Sequence, residues 1–302
     1  MAGKMHADEV ETDAALVRRL LAGQFPPWAE LPIERVASAG TDNALYRLGD
    51  ELAVRLPRIG WAAVHVGKEC EWLPRLAPRL PLALPVPVAK GEPAEGYPFS
   101  WSVCRWLPGE NATVERIGDQ LQAALDLAQF VTALQRIDAT AGPAAGRHIS
   151  FRGMPLAIRD AQVRTAIASL DDMIDAGAAS AAWKAALGVP EWRRAPVWFH
   201  GDLQSGNLLV VGSRLSAVID FGCAGVGDPA VDMSVAWNLF AGEAREVYRA
   251  ALAVDDATWA RGRGWALCCA LIALPYYRDT NPVLAAISRY AIEQVLADRE
   301  RV

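Results

Sequence analysis

The chain has 302 residues, of which 52% are hydrophobic and 22% charged, and its formal net charge is −5. This composition is typical of a folded globular protein and excludes collagen, a coiled coil and a disordered chain. No run of about 18 apolar residues occurs and the N-terminus is polar, so we expect a cytoplasmic protein with no membrane span or secretory signal. Five cysteines without metal-ligand spacing favour reduced thiols. The acidic balance argues against nucleic acid as a partner.

The first third of the chain predicts a small, mostly β unit. Turn residues separate short apolar runs, which indicate strands at 33–38, 45–48, 52–56 and 101–107. One helix is predicted before the strands, with Thr12 as its cap, and a second over residues 64–76.

After residue 109 the apolar spacing becomes helical. Three- and four-residue steps predict helices over 121–137, 155–176, 230–252, 256–275 and 282–299. Three short strands are predicted among them, at 197–200, 208–211 and 215–219. We therefore expect an α+β protein of two lobes, a small β-rich N-terminal lobe over 1–107 and a larger, mainly helical C-terminal lobe over 108–302.

Residues 200–240 carry four acidic side chains and one basic side chain, a local excess that indicates a cation supplied from elsewhere. Asp202, Asn207 and Asp220 lie on predicted loops that leave apolar strands. Carboxylate and amide oxygens suit Mg²⁺, which takes one or two carboxylates together with phosphate oxygens and water. Asp202, in the same loop as Asn207, could accept a proton from a hydroxyl group.

The run HGDLQSGN at 200–207, followed by IDFG at 219–222, resembles the catalytic core of the aminoglycoside phosphotransferase family, small-molecule kinases with a protein-kinase-like fold. The resemblance implies that Asp202 orients or deprotonates the acceptor hydroxyl, and that Asn207 and Asp220 hold Mg²⁺ against the phosphates of ATP. The run GDPAVD at 227–232 extends the resemblance. It implies that Asp232 supports the catalytic loop, with His200 as its partner.

The N-terminal lobe departs from the family at one position. A kinase needs a cation on a strand for the phosphates and a helical glutamate to hold that cation. Here Ala53-Val54-Arg55 stands in place of the usual Ala-Ile-Lys, so the resemblance implies Arg55 as the substitute cation and Glu69 as its partner. Arginine keeps the charge, but its planar fork has a different geometry from a lysine ammonium.

Two further segments resemble nucleotide-binding parts of the family. The loop over 38–43 has a single glycine, and Ser38, Gly40 and Thr41 are its candidate phosphate contacts; turn capping is an equal alternative for Ser38 and Thr41. The run over 101–109 resembles a hinge strand, whose backbone near Cys104 and Trp106 would bind adenine.

The acceptor is less well defined. In the family it is bound by the C-terminal helices, which gives Tyr277, Thr280 and Asn281 as candidates here. Residues 241–302 contain eight acidic and eight basic side chains, whereas a polycationic aminoglycoside would favour an acidic surface. Macrolides, other hydroxylated antibiotics and metabolites therefore stay open as acceptors.

We expect a kinase that moves the γ-phosphate of ATP to a hydroxyl of a small molecule, as an antibiotic-modifying enzyme does. One alternative is a choline-, ethanolamine- or sugar-type metabolite kinase. Another is a pseudokinase that binds nucleotide without turnover, which the missing strand lysine would allow and the intact set of Asp202, Asn207 and Asp220 argues against.

Overall fold

The computed structural model describes residues 9–37 and 40–299. The chain forms two compact units. The N-terminal unit comprises the described residues up to Gly109 together with Ala217–Gly222, and the C-terminal unit comprises Glu110–Ser216 and the described residues from Cys223 onward. A six-residue segment from late in the chain therefore belongs to the N-terminal unit.

The N-terminal unit is built on a five-stranded antiparallel sheet with two helices. Its elements are α1 (Ala14–Gln24), β1 (Ile33–Arg35), β2 (Asn43–Leu48), β3 (Leu52–Pro57), α2 (Gly60–Leu76), β4 (Pro87–Gly91) and β5 (Trp101–Arg105). The strand order is β1-β2-β3-β5-β4, so β3 lies in the middle of the sheet. Along β2, Ala44, Tyr46 and Leu48 are buried and alternate with half-buried residues, the pattern of a strand with one face on the core.

Helix α1 begins one residue after its cap. The Asp13 Oδ1 accepts a hydrogen bond from the Leu16 backbone N–H at 2.7 Å, so Asp13, and not Thr12, caps the helix. The Thr12 hydroxyl instead accepts a hydrogen bond from the Tyr46 hydroxyl at 3.0 Å. The buried face of α1 packs against the core of the sheet, which includes Trp101.

The C-terminal unit is mainly helical. Its elements are β6 (Glu110–Asn111), α3 (Gln120–Gln135), α4 (Asp160–Ala168), α5 (Ala176–Leu187), β7 (Val197–Phe199), β8 (Leu208–Val211), β10 (Gly225–Gly227), α6 (Val235–Asn238), α7 (Gly242–Leu252), α8 (Asp256–Tyr277) and α9 (Pro282–Arg299). Strand β9 (Arg214–Val218) begins in this unit, and its last two residues belong to the N-terminal unit. Strand β6 pairs with β8, and β10 pairs with β7, both antiparallel. No helix in the described part of the chain is long and apolar enough to cross a membrane.

Two predicted helices are interrupted in the structure. The prediction over 155–176 is wrong in extent, because a 3-10 turn over Leu156–Arg159 leads into α4, which ends at Ala168. Helix α5 was not predicted, since its alanine-rich sequence has little apolar periodicity; Asp175 caps it by accepting from the Ala178 N–H at 2.8 Å. The predicted helix over 230–252 is likewise divided, into the 3-10 segment Pro229–Ser234, α6 and α7.

Candidate functional site

In the N-terminal unit, Arg55 lies between two carboxylates. It is on β3, and its Nη1 donates to the Glu69 Oε2 on α2 at 2.8 Å. Its Nη2 lies 3.7 Å from the Asp220 Oδ1. Burial alone lowers the pKa of the Arg55 guanidinium, but the Glu69 and Asp220 carboxylates outweigh that effect and raise it above its ordinary value. The structure thus brings two candidate carboxylates, Glu69 and Asp220, into contact with the guanidinium of a third candidate, Arg55.

Glu69 is almost fully enclosed, with 5% of its surface exposed. Only one of its carboxylate oxygens is paired with Arg55; the other, Oε1, is buried and accepts no hydrogen bond. Because a buried carboxylate needs a compensating charge, Arg55 and Glu69 depend on each other for stability as well as for position.

Asp220 is in the left-handed backbone region, with φ of 63°, which aspartate adopts more readily than most residues. The Gly222 N–H donates to its Oδ1 at 3.4 Å. Lys68, the neighbour of Glu69 on α2, donates from Nζ to the Gly222 carbonyl at 2.6 Å. The turn that carries Asp220 is therefore held by a second cation. The sequence reasoning missed Lys68, although its place next to Glu69 was a usable signal.

The other nucleotide-binding candidates in this unit lie in two segments that are predicted to bind through backbone groups. Ser38 lies outside the described residues, and Gly40 is the first residue that the structure describes after that gap. The Thr41 hydroxyl donates to the Asp42 carboxylate at 2.7 Å, a turn contact. Cys104 is buried in β5, and burial raises the pKa of its thiol to about 11. The Trp106 N–H already donates to the Glu51 carbonyl at 2.7 Å, so this backbone donor is occupied by the chain itself.

In the C-terminal unit, the loop between β7 and β8 brings Asp202 and Asn207 together. The Asp202 Oδ2 accepts from Gln204 Nε2 at 3.0 Å and from Asn207 Nδ2 at 2.8 Å. Asn207 Nδ2 also donates to the Asp202 carbonyl at 2.8 Å. Because the amide nitrogen makes both of these contacts, the Asn207 Oδ1 oxygen is left for an oxygen-seeking cation.

The donor chemistry fits Mg²⁺, which keeps several waters and needs few protein oxygens. The Asp220 carboxylate, 39% exposed, and the Asn207 Oδ1 are both of the required type. No group of three or more His, Cys, Asp or Glu side chains among the described residues is arranged to hold a metal ion. Each of the two side chains, taken by itself, offers an oxygen of the type that Mg²⁺ binds.

Asp232 holds the start of the loop between β7 and β8 from inside the fold. It is fully buried, and its two carboxylate oxygens accept from the backbone N–H groups of His200 at 2.8 Å and Gly201 at 2.7 Å. Asp232 thus contacts His200 through its backbone N–H, and the His200 Nδ1 accepts from the Asp202 N–H at 3.2 Å. Burial raises the pKa of Asp232 to about 7, although the two backbone donors act in the opposite direction.

This burial predicts a pH-dependent stability. The folded protein holds the Asp232 proton up to about pH 7, whereas the unfolded chain releases it near pH 4. The stability that Asp232 contributes is therefore fully present below pH 4 and is lost as the pH rises to 7, by up to about 1.4 kcal/mol per unit. Urea unfolding of wild type and Asp232→Asn between pH 4.5 and 7.5 should show this slope in the wild type only. Equal slopes would contradict the assignment.

One residue beside Asp202 was missed by the sequence reasoning. Arg152 places its Nη2 3.6 Å from the Asp202 Oδ1, its Nη1 donates to the Cys269 Sγ at 2.8 Å, and its guanidinium lies over the Trp265 ring at 5.7 Å. The segment that carries Arg152 has irregular backbone, about 50 positions before Asp202 in the sequence, and no spacing rule connects the two.

The acceptor candidates lie where α8 ends and α9 begins. The backbone N–H groups of Thr280 and Asn281 donate to the Tyr277 carbonyl at 3.1 and 2.9 Å. The Asn281 Oδ1 accepts from the Leu284 N–H at 3.2 Å and so caps α9. These contacts give Asn281 a structural role, while an acceptor role for the three residues stays a prediction.

Comparison with known proteins gives a family and a fold. The model of the phosphotransferase enzyme family (APH) matches residues 34–265. Among solved structures, the GDP complex of aminoglycoside 2'-phosphotransferase-IIIa is 18% identical with a TM-score of 0.72, over 95% of this chain and 100% of that one. A macrolide 2'-phosphotransferase from Brachybacterium faecium is 21% identical with a TM-score of 0.61, over 93% and 97%. At these identities the likeness shows a common two-part α+β fold. The search of curated proteins gave no match.

Proposed function

Because the chain belongs to the phosphotransferase enzyme family, we propose that it moves the γ-phosphate of ATP to a hydroxyl group of a small molecule. The observation that carries the proposal is the Asp202 carboxylate, held at one oxygen by Gln204 and Asn207 in a loop whose backbone is fixed by the buried Asp232. The other oxygen, Oδ1, is left with only a long contact to Arg152.

Asp202 is the proposed base. It accepts the proton of the acceptor hydroxyl as the hydroxyl oxygen forms its bond to the γ-phosphorus, and the bond from that phosphorus to the leaving oxygen of ADP breaks. Such positioned proton transfer contributes about 10²–10⁴-fold to a rate. Magnesium, when bound, would neutralise charge on the phosphates, and Asp220 and Asn207 are the residues proposed to hold it.

We assign nucleotide binding to the lobe over 1–107 and catalysis with acceptor binding to the lobe over 108–302. Arg55 supplies a fixed positive charge for the phosphates, and Glu69 holds its guanidinium in place. The loop with Ser38, Gly40 and Thr41 supplies backbone amides. Because the Trp106 N–H is occupied, adenine contacts near Cys104 and Trp106 use other backbone groups of that segment.

Substitutions of Arg55 test the cation. In Arg55→Ala the buried Glu69 loses its counter-charge, so we expect about 3 kcal/mol of lost stability and at least about tenfold weaker ATP binding. In Arg55→Lys the charge remains and the fork is lost, so both effects should be smaller. Calorimetric ATP titration and urea unfolding measure them. Arg75→Ala, which removes an exposed arginine of the same unit paired with Glu71, is the control. Unchanged ATP binding in both Arg55 variants would remove Arg55 from the site.

The activity itself is tested by Mg²⁺-dependent ATP consumption against pooled acceptors. The pools are aminoglycosides, macrolides, other hydroxylated antibiotics, choline-type amines and sugars, with Asp202→Ala as the blank. Turnover in one pool that disappears in the variant supports the proposal and gives the acceptor class. ATP binding without turnover in any pool, even with each pool at millimolar concentration, favours the pseudokinase alternative.

A further inference from the structure

Two arginines, the half-buried Arg152 and the buried Arg159, lie near the thiols of α8. Arg152 donates to the thiol of Cys269 at 2.8 Å, and Arg159 lies close enough to act electrostatically on the thiol of Cys268. The two cysteines are consecutive on α8, and both guanidiniums act electrostatically on each thiol. The arginines therefore share one region of the C-terminal unit, and Arg152 is the one that lies beside Asp202.

The positive charge in this region is poorly compensated. Arg159 is 9% exposed, forms no ion pair with the described residues, and its buried Nε has no hydrogen-bond partner. The Nε of Arg152 is also buried and unpaired. The one carboxylate near Arg152 is Asp202, at 3.6 Å, which is too long for a hydrogen bond. A guanidinium has five N–H donors, of which the Nε–H of each arginine is buried and unpaired.

The neighbouring thiols cannot supply the missing negative charge. Burial raises the pKa of Cys268 to about 12 and also raises that of Cys269, so both stay protonated at neutral pH. A thiol is a weak hydrogen-bond acceptor. Two cations thus face one carboxylate in a largely buried region, where an unpaired charge is costly. An anion from outside the chain would offset that cost.

The backbone that carries Arg152 is strained. Ser150 and Phe151 have φ of 54° and 60°, a region that non-glycine residues rarely occupy. The Phe151 ring lies under the Arg159 guanidinium at 5.5 Å, as the Trp265 ring lies under that of Arg152. Stacking on a ring fixes the plane of a guanidinium and directs its N–H groups sideways. Strain of this kind is retained where the geometry it produces is used.

We propose that Arg152 and Arg159 form an anion-binding subsite beside Asp202, and that the acceptor carries a carboxylate or phosphate group near its reacting hydroxyl. The inference rests on the proposed function, because it takes Asp202 as the base for that hydroxyl. Arg152 would contact the anion in place of its long contact with Asp202, and Arg159 would add the second positive charge. An ammonium group next to the hydroxyl would be repelled by the same residues.

Inorganic phosphate is the first probe. Its binding is followed as a saturable rise in melting temperature at constant ionic strength, both without nucleotide and with Mg²⁺ and β,γ-imido-ATP present to fill the nucleotide phosphate positions. We expect wild type to bind in both conditions, Arg152→Gln to bind at least about tenfold more weakly, and Arg152→Lys to fall between them. Arg194→Gln, an exposed arginine of the same unit, is the matched control and should bind as wild type does.

Arg159 gives a second readout that does not depend on ligand affinity alone. Arg159→Met removes an uncompensated buried charge, so the melting temperature without phosphate should rise while the response to phosphate falls. If Arg159→Met does not fold, Arg159→Lys should fold and retain part of the response. No saturable phosphate binding in wild type, or equal binding in Arg152→Gln, overturns the proposal.

A matched three-carbon series identifies the anion. Glycerate, glycerol 3-phosphate, glycerol and the cationic serinol are tested as competitors of phosphate. We expect the two anions to compete and the other two not to, and the stronger of the anions distinguishes carboxylate from phosphate. Competition by serinol as strong as that by glycerate would overturn the charge argument. If phosphate binding requires both arginines but neither the pools nor glycerate and glycerol 3-phosphate give Asp202-dependent turnover, the proposed function fails while the subsite remains.

Discussion

Replacing Asp202 with asparagine is expected to lower the rate of phosphate transfer by about 10²–10⁴-fold and to leave nucleotide affinity within about twofold. Asparagine has nearly the shape of aspartate but cannot accept the proton. Its oxygen should take the Oδ2 position, because Gln204 and Asn207 both donate there. Its NH₂ group then faces Arg152, which costs some stability without displacing the loop.

The measurement is single-turnover phosphate transfer to an acceptor from the pool that gives turnover with wild type. It is paired with calorimetric nucleotide titration. Asp202→Ala removes the side-chain contacts as well and should be slower still. Asp126→Asn is the matched control, since Asp126 is a carboxylate of the same unit whose ion pair is with the exposed Arg214. Equal losses of transfer and nucleotide affinity in Asp202→Asn would instead assign Asp202 a structural role.

Gly201→Ala is expected to be the most destabilising small substitution in the loop. Gly201 has φ of 85°, and a Cβ there would lie 2.6 Å from the backbone carbonyl oxygen of Cys223. A backbone carbonyl cannot rotate away as a side chain does, so the loop must shift, and the Gly201 N–H moves away from Asp232. We expect a loss of about 2–4 kcal/mol in the free energy of unfolding, with most of the activity.

Gly206→Ala is the internal control for this experiment. Gly206 lies five positions further along the same loop, its φ is not in the left-handed region, and no atom would lie within 4 Å of an added Cβ. Urea unfolding of the two variants separates the steric effect from any general effect of adding a methyl group to the loop. Indistinguishable unfolding curves would show that the loop adapts and that the Gly201 geometry is not required.

Local sequence was sufficient for elements whose signal is local. The apolar run that predicts residues 208–211 is strand β8 in the structure, and the predicted helix over 282–299 is α9. The cap of α1 was displaced by one residue, because Thr12 and Asp13 are both good caps and only the fold decides that Thr12 receives the Tyr46 hydroxyl. Helix α5 lacked a signal because alanine suits both its buried and its exposed face.

The site was predictable only where a motif marks it. The HGD and DFG runs identify Asp202, Asn207 and Asp220 from their order in the sequence, and their roles remain predictions. Arg152 carries no such mark, since its proximity to Asp202 results from strained backbone and from packing on Trp265 in α8. The buried position of Asp232 was likewise not visible in the sequence, and neither was its hydrogen bond from the backbone N–H of His200.

The segment Ala217–Gly222 has a consequence for biosynthesis. It belongs to the N-terminal unit, where the Val218 N–H donates to the Ala83 carbonyl at 3.0 Å and Asp220 faces Arg55. During synthesis, residues 1–109 therefore leave the ribosome well before the segment Ala217–Gly222 that completes the N-terminal unit. Contacts between residues so far apart in the sequence slow folding. The contact between Arg55 and Asp220 can form only after residue 220 has left the ribosome. A fragment ending at Gly109 would lack that carboxylate and the backbone partner of Ala83, so the N-terminal unit is not a module that can be transferred to another protein by a single cut.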